Sequence, residues 1–276
     1  MKKAFVIGHP IAHSKSPLIH GSWIAEHGLD ASYEPFDVAP EALAGFIDRV
    51  RQGEFVGGNV TIPHKEAVMA LVDEVDRLAK KIGAVNTVVA DAGRLFGTNT
   101  DYLGFLASLD ASAPGWDEGL DSAVVLGAGG ASRAILVALI DRGVPAIHLL
   151  NRTPARAEAL AAEFGPTIHP GPLADFAARA GTAGLLVNTS SVGMEGTGFS
   201  GIDLKLLRPG AVVTDIVYTP LITPLLAQAR AQGFASVDGL GMLLHQAVPG
   251  FTAWFGPQPS VTPELRAKVI AAMGLA

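Results

Sequence analysis

Four short polar clusters stand among apolar stretches in the first part of the chain: Ser14 and Ser16 inside GHPIAHSKSP (residues 8–17), GGNVTIPHKE (Gly57–Glu66), GAVNT (Gly83–Thr87) and TNTDYLGF (Thr98–Phe105). Together they bring hydroxyls, carboxamides, a cation in Lys65 and a carboxylate in Asp101. Such a set suits a small polyhydroxylated acid better than an apolar ligand, and better than a phosphate, which needs several cations. Taken singly, each cluster is ordinary turn or cap chemistry: Gly and Pro punctuate strand ends, Asn59 fits a Gly-rich bend, and Asp101 is placed to cap a helix starting at Tyr102. Each nevertheless falls at a strand end or turn, where α/β sheets hold their ligands.

A second kind of chemistry is written at GAGGAS (Gly127–Ser132). It fits the dinucleotide-binding G-x-G-x-x-G/A in its first two glycines, with Ser132 at the third position. The first glycine allows the tight turn, the second lets backbone approach a pyrophosphate, and the amides of the following helix meet its negative charge. About 20 residues on, where an NAD site carries Asp or Glu against the ribose 2′-hydroxyl, the chain has Asn151-Arg152-Thr153, with Arg156 nearby. Arginine grips a 2′-phosphate bidentately and a carboxylate would repel it, so the expected cofactor is NADP. Cations at a helix start are not favoured by the dipole, which itself points to an anion there.

The elements that must position these residues alternate. Strands are expected at Lys3–Ile7, Ala31–Asp37 and Gly57–Thr61, and helices at Pro17–His27, Pro40–Arg51, Lys65–Leu71 and Asp76–Lys81. Ala84–Asp91 and Arg94–Gly97 read as a hairpin turning at Ala92-Gly93. After a loop at Ala111–Gly119 comes a βαβ unit: strand Ala123–Leu126, helix Ser132–Arg142 and strand Ala146–Leu150. Further strands are expected at Gly184–Val187, Ala211–Ile216 and Ala235–Val237, and closing helices at Gly239–Phe255 and Pro263–Ala276. This alternation implies an α/β fold with mostly parallel sheets.

Composition sets the outer bounds. The 276 residues, 49% hydrophobic and 17% charged, suffice for one large or two medium cores. A net charge of −6 argues against a large basic footprint for nucleic acid or an anionic membrane. With no cysteine there is no disulfide, thiolate metal site or Cys nucleophile. The apolar run after Lys2-Lys3 stops at Gly8-His9-Pro10, too short for a secretory leader, and a cytoplasmic protein is expected. No H-E-x-x-H, Walker loop or G-x-S-x-G occurs, the eight histidines are scattered, and no metal site is expected.

Read in order, HSKSP, NVTIPHKE, GAVNT, NTD with a following GF, LGAGGASRA, NRT, DIVYTP with TPLL, and DGLGMLLHQA resemble the shikimate dehydrogenases, in particular the bacterial biosynthetic AroE type, over nearly the whole chain. The resemblance implies NADPH-dependent, reversible reduction of 3-dehydroshikimate to shikimate, on the route to chorismate and the aromatic amino acids. It implies an N-terminal α/β substrate domain (residues 1–102 and 239–276), a Rossmann-type NADP-binding domain (103–238), and C-terminal helices packing back on the first domain. The partner is then a small-molecule substrate, with no nucleic acid or membrane, and the protein a monomer or homodimer.

By motif position, Ser14 and Ser16 would hold the substrate carboxylate with Tyr218. Thr61, Asn86, Asp101 and Gln246 would bind ring hydroxyls, with Lys65 beside the reacting oxygen. Cofactor contacts would come from Gly127, Ala128, Gly129, Gly130, Ala131, Asn151, Arg152, Thr153, Arg156, Thr189, Ile216 and Gly239. Desolvation favours a neutral amine and a neighbouring carboxylate favours an ammonium, so two roles stay open for Lys65: general acid and base, or a fixed charge stabilising alkoxide. Two positions depart from the family pattern: Tyr102 stands where Gly is usual, at the cleft hinge or substrate rim, and Val187–Met194 reads VNTSSVGM. The rival readings are an NAD-dependent quinate/shikimate dehydrogenase, disfavoured by Asn151-Arg152-Thr153, and a non-catalytic NADP-binding regulator, disfavoured by the intact Lys65, Asp101 and Gln246.

Overall fold

A computed structural model describes residues 1–274; the closing positions of the last expected helix and of the 239–276 segment, 275 and 276, lie outside the described residues. The chain divides into two compact units, residues 1–101 with 246–274, and residues 102–245.

In the first unit the order is β1 (Lys2–Gly8), α1 (Ser16–Glu26), β2 (Ala31–Asp37), α2 (Leu43–Arg51), β3 (Gly57–Val60), β4 (Glu74–Val75), α3 (Arg77–Ile82), β5 (Thr87–Asp91) and β6 (Arg94–Thr98). They form one sheet in the order β2-β1-β3-β5-β6-β4. Ala4 to Gly8 of β1 are all buried, as expected of a strand flanked on both edges and covered on both faces. Helix α2 turns Leu43, Phe46, Ile47 and Val50 inward at the i, i+3, i+4, i+7 spacing of an amphipathic helix. Phe46 and Phe55 meet Phe5 edge-on, at centroid distances of 5.0 and 5.3 Å.

The sheet is mixed, not mostly parallel, because β5 runs antiparallel to both β3 and β6. Its hairpin turns at Ala92 and Gly93, both at positive φ, the requirement of a type I′ turn. The helix expected at Lys65–Leu71 reduces to turns and a short 3₁₀ segment at Ala67–Ala70. The reason is tertiary: the Lys65 carbonyl accepts from Val85 N–H and is lost to any helical ladder.

The second unit continues with α4 (Asp101–Ser112), β7 (Ser122–Leu126), α5 (Gly130–Asp141), β8 (Ala146–Asn151), α6 (Pro154–Phe164), β9 (Ile168–Pro172), α7 (Phe176–Arg179), β10 (Ala183–Asn188), β11 (Val212–Asp215), α8 (Pro224–Ala231) and β12 (Ala235–Val237). All six strands are parallel, in the order β9-β8-β7-β10-β11-β12. Counted from β7 this is 3-2-1-4-5-6, the doubly wound dinucleotide-binding order, with its switch point between β7 and β10. Strand β9, at the sheet edge, carries two prolines and a glycine, which hide it from a pattern-based reading.

The last helices are α9 (Gly239–Phe255) and α10 (Pro263–Ala272). The unit boundary falls inside α9, at 245/246, seven residues past the expected 239. The early part of α9 packs on the second unit, Gly241 against Ser108. Its later part returns to the first, where Trp254 Nε1 donates to Val88 O at 2.9 Å. Trp23 Nε1, on α1, likewise donates to Ser260 O, so the C-terminal segment is tied to both β5 and α1 of the first unit. Among the described residues no helix is long and apolar enough to cross a membrane.

Candidate active site

The polar clusters of the first unit converge on one end of its sheet. Ser14 and Ser16 follow β1, Thr61 and Lys65 follow β3, Asn86 leads into the antiparallel β5, and Asp101 follows β6. The register pairs Ile7 with Val60, Asn59 with Thr87, and Thr87 with Thr98, which brings these four chain segments side by side.

At the centre, Lys65 Nζ lies 2.5 Å from Asp101 Oδ2, with side chains only 19% and 14% exposed. The other carboxylate oxygen, Oδ1, accepts from Asn86 Nδ2 at 2.8 Å. Asp101 opens α4, where the helix dipole favours negative charge. Its carboxylate is directed at Lys65 and Asn86 instead of capping, and its own N–H is held by Asn99 Oδ1. The ammonium spends one of its three donors on Asp101.

Asn86 cannot flip. Its Oδ1 accepts from Thr100 N–H at 2.8 Å and from the Thr87 hydroxyl at 2.9 Å, which leaves its NH₂ to face Asp101. Behind it, Asn59 Nδ2 donates to Asn86 O and Thr87 Oγ1, and Tyr33 donates to Asn59 Oδ1 at 2.6 Å. The Thr100 hydroxyl reaches Gln246 Oε1 at 3.3 Å, tying α9 into the same network. Tyr33, Asn59, Thr87 and Thr100 are the members that sequence reasoning missed. Asn59, Thr87 and Thr100 lie inside the quoted motifs; Tyr33 gives no signal beyond an alternating strand.

Ser14 and Ser16 stand at the start of α1, where Ser14 Oγ accepts from Ser16 N–H. One turn on, His20 is fully buried and stacked on Tyr33 at a centroid distance of 4.0 Å. Neither of its ring nitrogens has a hydrogen-bond partner among the described residues. Burial lowers its pKa to about 3, with the neighbouring Asn59 opposing in part.

In the second unit the glycine turn has the form a dinucleotide needs. Gly127, at φ +106°, lies where a Cβ would come within 3.0 Å of Ser190 and Thr189, so the turn after β7 and the loop after β10 approach as only glycine permits. A Cβ at Gly129 or Gly130 would meet no atom within 4 Å, which leaves the start of α5 open to a ligand. The helix begins at Gly130, so Ala131 and Ser132 lie in its first turn, and Ser132 Oγ bonds back to Gly129 O. Asn151 Oδ1 receives Ala128 N–H at 3.3 Å, linking the turn to the end of β8. Arg152, Thr153 and Arg156 are exposed there, and neither guanidinium forms an ion pair among the described residues. These groups fit a 2′-phosphorylated dinucleotide.

Thr189 is buried, its hydroxyl donating to Leu126 O and Gly127 O, so it braces the turn. Gly239 lies against the backbone of Ile216 and Val217, where a Cβ would be 2.4 Å from Ile216 O. Burial raises the Tyr218 phenol. Tyr102 is partly buried against the core of the second unit; burial first and Asp141 second raise its pKa.

The shikimate dehydrogenase substrate binding domain family matches residues 6–88 and the shikimate/quinate 5-dehydrogenase family residues 118–193. Over 272 residues the chain is 53% identical to the shikimate dehydrogenase (NADP(+)) of Rhizobium meliloti, covering 98% of this chain and 95% of that protein. The chain belongs to the shikimate dehydrogenase family. A Mesorhizobium japonicum member is 55% identical, again over 98% of this chain and 96% of its own. Among solved members, shikimate 5-dehydrogenase from Thermus thermophilus, in complex with NADP(H) and shikimate, superposes with a TM-score of 0.85 at 41% identity, covering 99% and 100% of the two chains. The quinate dehydrogenase of Corynebacterium glutamicum, in complex with NAD, gives a TM-score of 0.89 at 32% identity over 98% and 99%.

Proposed function

We propose that the chain catalyses the reversible, NADP-dependent interconversion of shikimate and 3-dehydroshikimate, as a cytoplasmic enzyme of aromatic precursor biosynthesis. The observation that carries this reading is the Lys65–Asp101–Asn86 arrangement: a sheltered ammonium with donors to spare beside a carboxylate fixed on both oxygens. The nicotinamide, when bound, supplies or accepts the hydride. Lys65 then acts at the substrate oxygen, giving a proton as the ketone is reduced and taking it back as the alcohol is oxidised. The same ammonium stabilises negative charge developing there. Asp101 keeps Lys65 oriented and, with Asn86 and Gln246, offers partners to the ring hydroxyls. Thr61 completes that wall, and Ser14, Ser16 and Tyr218 take the carboxylate.

Gly127 to Ala131 would carry the pyrophosphate on backbone amides. Asn151, Arg152, Thr153 and Arg156 would take the adenosine 2′-phosphate, and Thr189, Ile216 and Gly239 would border the nicotinamide end. Nicotinamide absorbance with shikimate or quinate, crossed with NADP or NAD, tests the whole reading. Reduction largely confined to shikimate with NADP is expected. Preference for quinate with NAD would move the assignment to the rival dehydrogenase, and no turnover with any pair would move it to a regulator.

A further inference from the structure

Asp215, the last residue of β11, has no accessible surface and pairs with no cation among the described residues. A carboxylate in that position is costly unless donors replace its water. Three do, each from a different segment. Val217 N–H and Asn188 Nδ2 donate to Oδ1, both at 2.9 Å, and the Thr223 hydroxyl donates to Oδ2 at 2.7 Å. Burial raises the Asp215 pKa, and the same three donors oppose that shift.

A carboxylate only accepts, so its partner amide has one orientation. Asn188 turns its NH₂ to Asp215 and to Val192 O, and its Oδ1 accepts from Ser190 N–H and Oγ–H. The loop after β10 is thereby tied at Ser190 and Val192. Gly193, at φ +109°, closes that loop against Thr223, where a Cβ would come within 3.2 Å of the threonine side chain. Thr223 in turn caps α8, accepting from Leu226 N–H. Val217 lies between Ile216 and Tyr218. One buried carboxylate therefore fixes the loop after β10, the loop after β11 and the start of α8. The first of these touches the Gly127 turn at the switch point of the sheet.

We propose that Asp215 is a positioning residue for the nicotinamide-side wall of the site, setting where Tyr218 and the Thr189–Val192 loop stand without touching substrate or cofactor. This rests on the functional reading above. Fold stability alone would be served by an apolar residue at this buried position, whereas three-way acceptance at the strand end needs a carboxylate.

The test compares Asp215→Ala, Asp215→Asn and Thr223→Val with the wild type, each checked for folding by thermal melting. Three quantities are read: kcat and KM for shikimate, NADPH affinity from nicotinamide fluorescence, and affinity for adenosine 2′,5′-bisphosphate, which lacks the nicotinamide. Misplacing the wall should cost Asp215→Ala about 100-fold in kcat/KM and about tenfold in NADPH affinity, with the bisphosphate held as by the wild type. Asp215→Asn keeps one acceptor oxygen for Val217 N–H and Asn188 but turns an NH₂ on the Thr223 hydroxyl, so it should recover only part of the loss; Thr223→Val should likewise fall between. Wild-type kcat and KM in a folded Asp215→Ala would overturn the inference, as would equal weakening of NADPH and the bisphosphate. Should Asp215→Ala not fold, Thr223→Val decides by the same two criteria. A wild-type enzyme inactive on shikimate sinks the functional reading, while the two binding measurements still decide the positioning role.

Discussion

Lys65 and Asp101 reach one another across 36 residues of sequence, and the amides that orient them come from further strands of the same sheet. The Gly127–Gly130 turn of the second unit works differently. It relies on its own backbone, an open helix start and two exposed arginines a single strand away. The first region is a side-chain network in a sheltered place, where each group is held by two or three others; the second is a local backbone shape with charges standing free at its edge. Damage to the first should therefore fall on the chemistry, and damage to the arginines on the choice of cofactor.

The largest effect that could break this contrast is at Asp101. Asp101→Ala leaves the Asn86 amide and the Lys65 ammonium without their shared partner, and kcat should fall by about 10² to 10⁴, with little change in the KM for NADP. A comparable rise in the KM for NADP with kcat intact would erase the distinction between the regions. Next comes Arg152→Ala combined with Arg156→Ala. Losing charge-assisted bonds to a phosphate should raise the KM for NADP by about 10 to 100-fold and leave NAD use unchanged. Equal losses with both cofactors would show that the arginines do not read the 2′-phosphate.

Smaller effects sharpen the picture inside the first region. Ser14→Ala and Ser16→Ala should each raise the KM for shikimate by about tenfold, the worth of one hydrogen bond to a charged group. An unchanged KM in both would remove them from the substrate wall. His20 lies behind that wall, and its contribution is to stability. Its folded pKa of about 3 is below the ~6.5 of an exposed imidazole, so the unfolded chain binds a proton that the folded one refuses. The stability this gives is complete above about pH 6.5 and is lost as pH falls toward about 3, at no more than ~1.4 kcal/mol per pH unit. Urea unfolding of His20→Gln across that range should show a flatter acid limb than the wild type; identical limbs would mean that His20 does not titrate with unfolding.

How much of this is legible in the sequence follows from the same contrast. The GAGGAS turn, the βαβ unit and Arg152 are local, and periodicity with turn chemistry locates them. The hairpin at Ala92-Gly93 and the helix Gly239–Phe255 are legible for the same reason. Lys65 and Asp101 stand out as residue types, but their ion pair depends on an antiparallel β5 inserted into the sheet, a tertiary fact that no window of sequence contains. The helix expected at Lys65 fails on one long-range bond, from Val85 N–H to the Lys65 carbonyl. Asn188, Asp215 and Thr223 are invisible for a related reason: an Asn, an Asp and a Thr at strand and helix ends read as caps until the sheet order brings them together.

The central claim is that the chemistry is carried by Lys65 while the cofactor is held elsewhere. Its most direct test is Lys65→Ala, assayed for shikimate oxidation with NADP alongside a direct measurement of NADP affinity. Turnover reduced by about a thousandfold with NADP affinity unchanged is the predicted result. Turnover near that of the wild type would contradict the account.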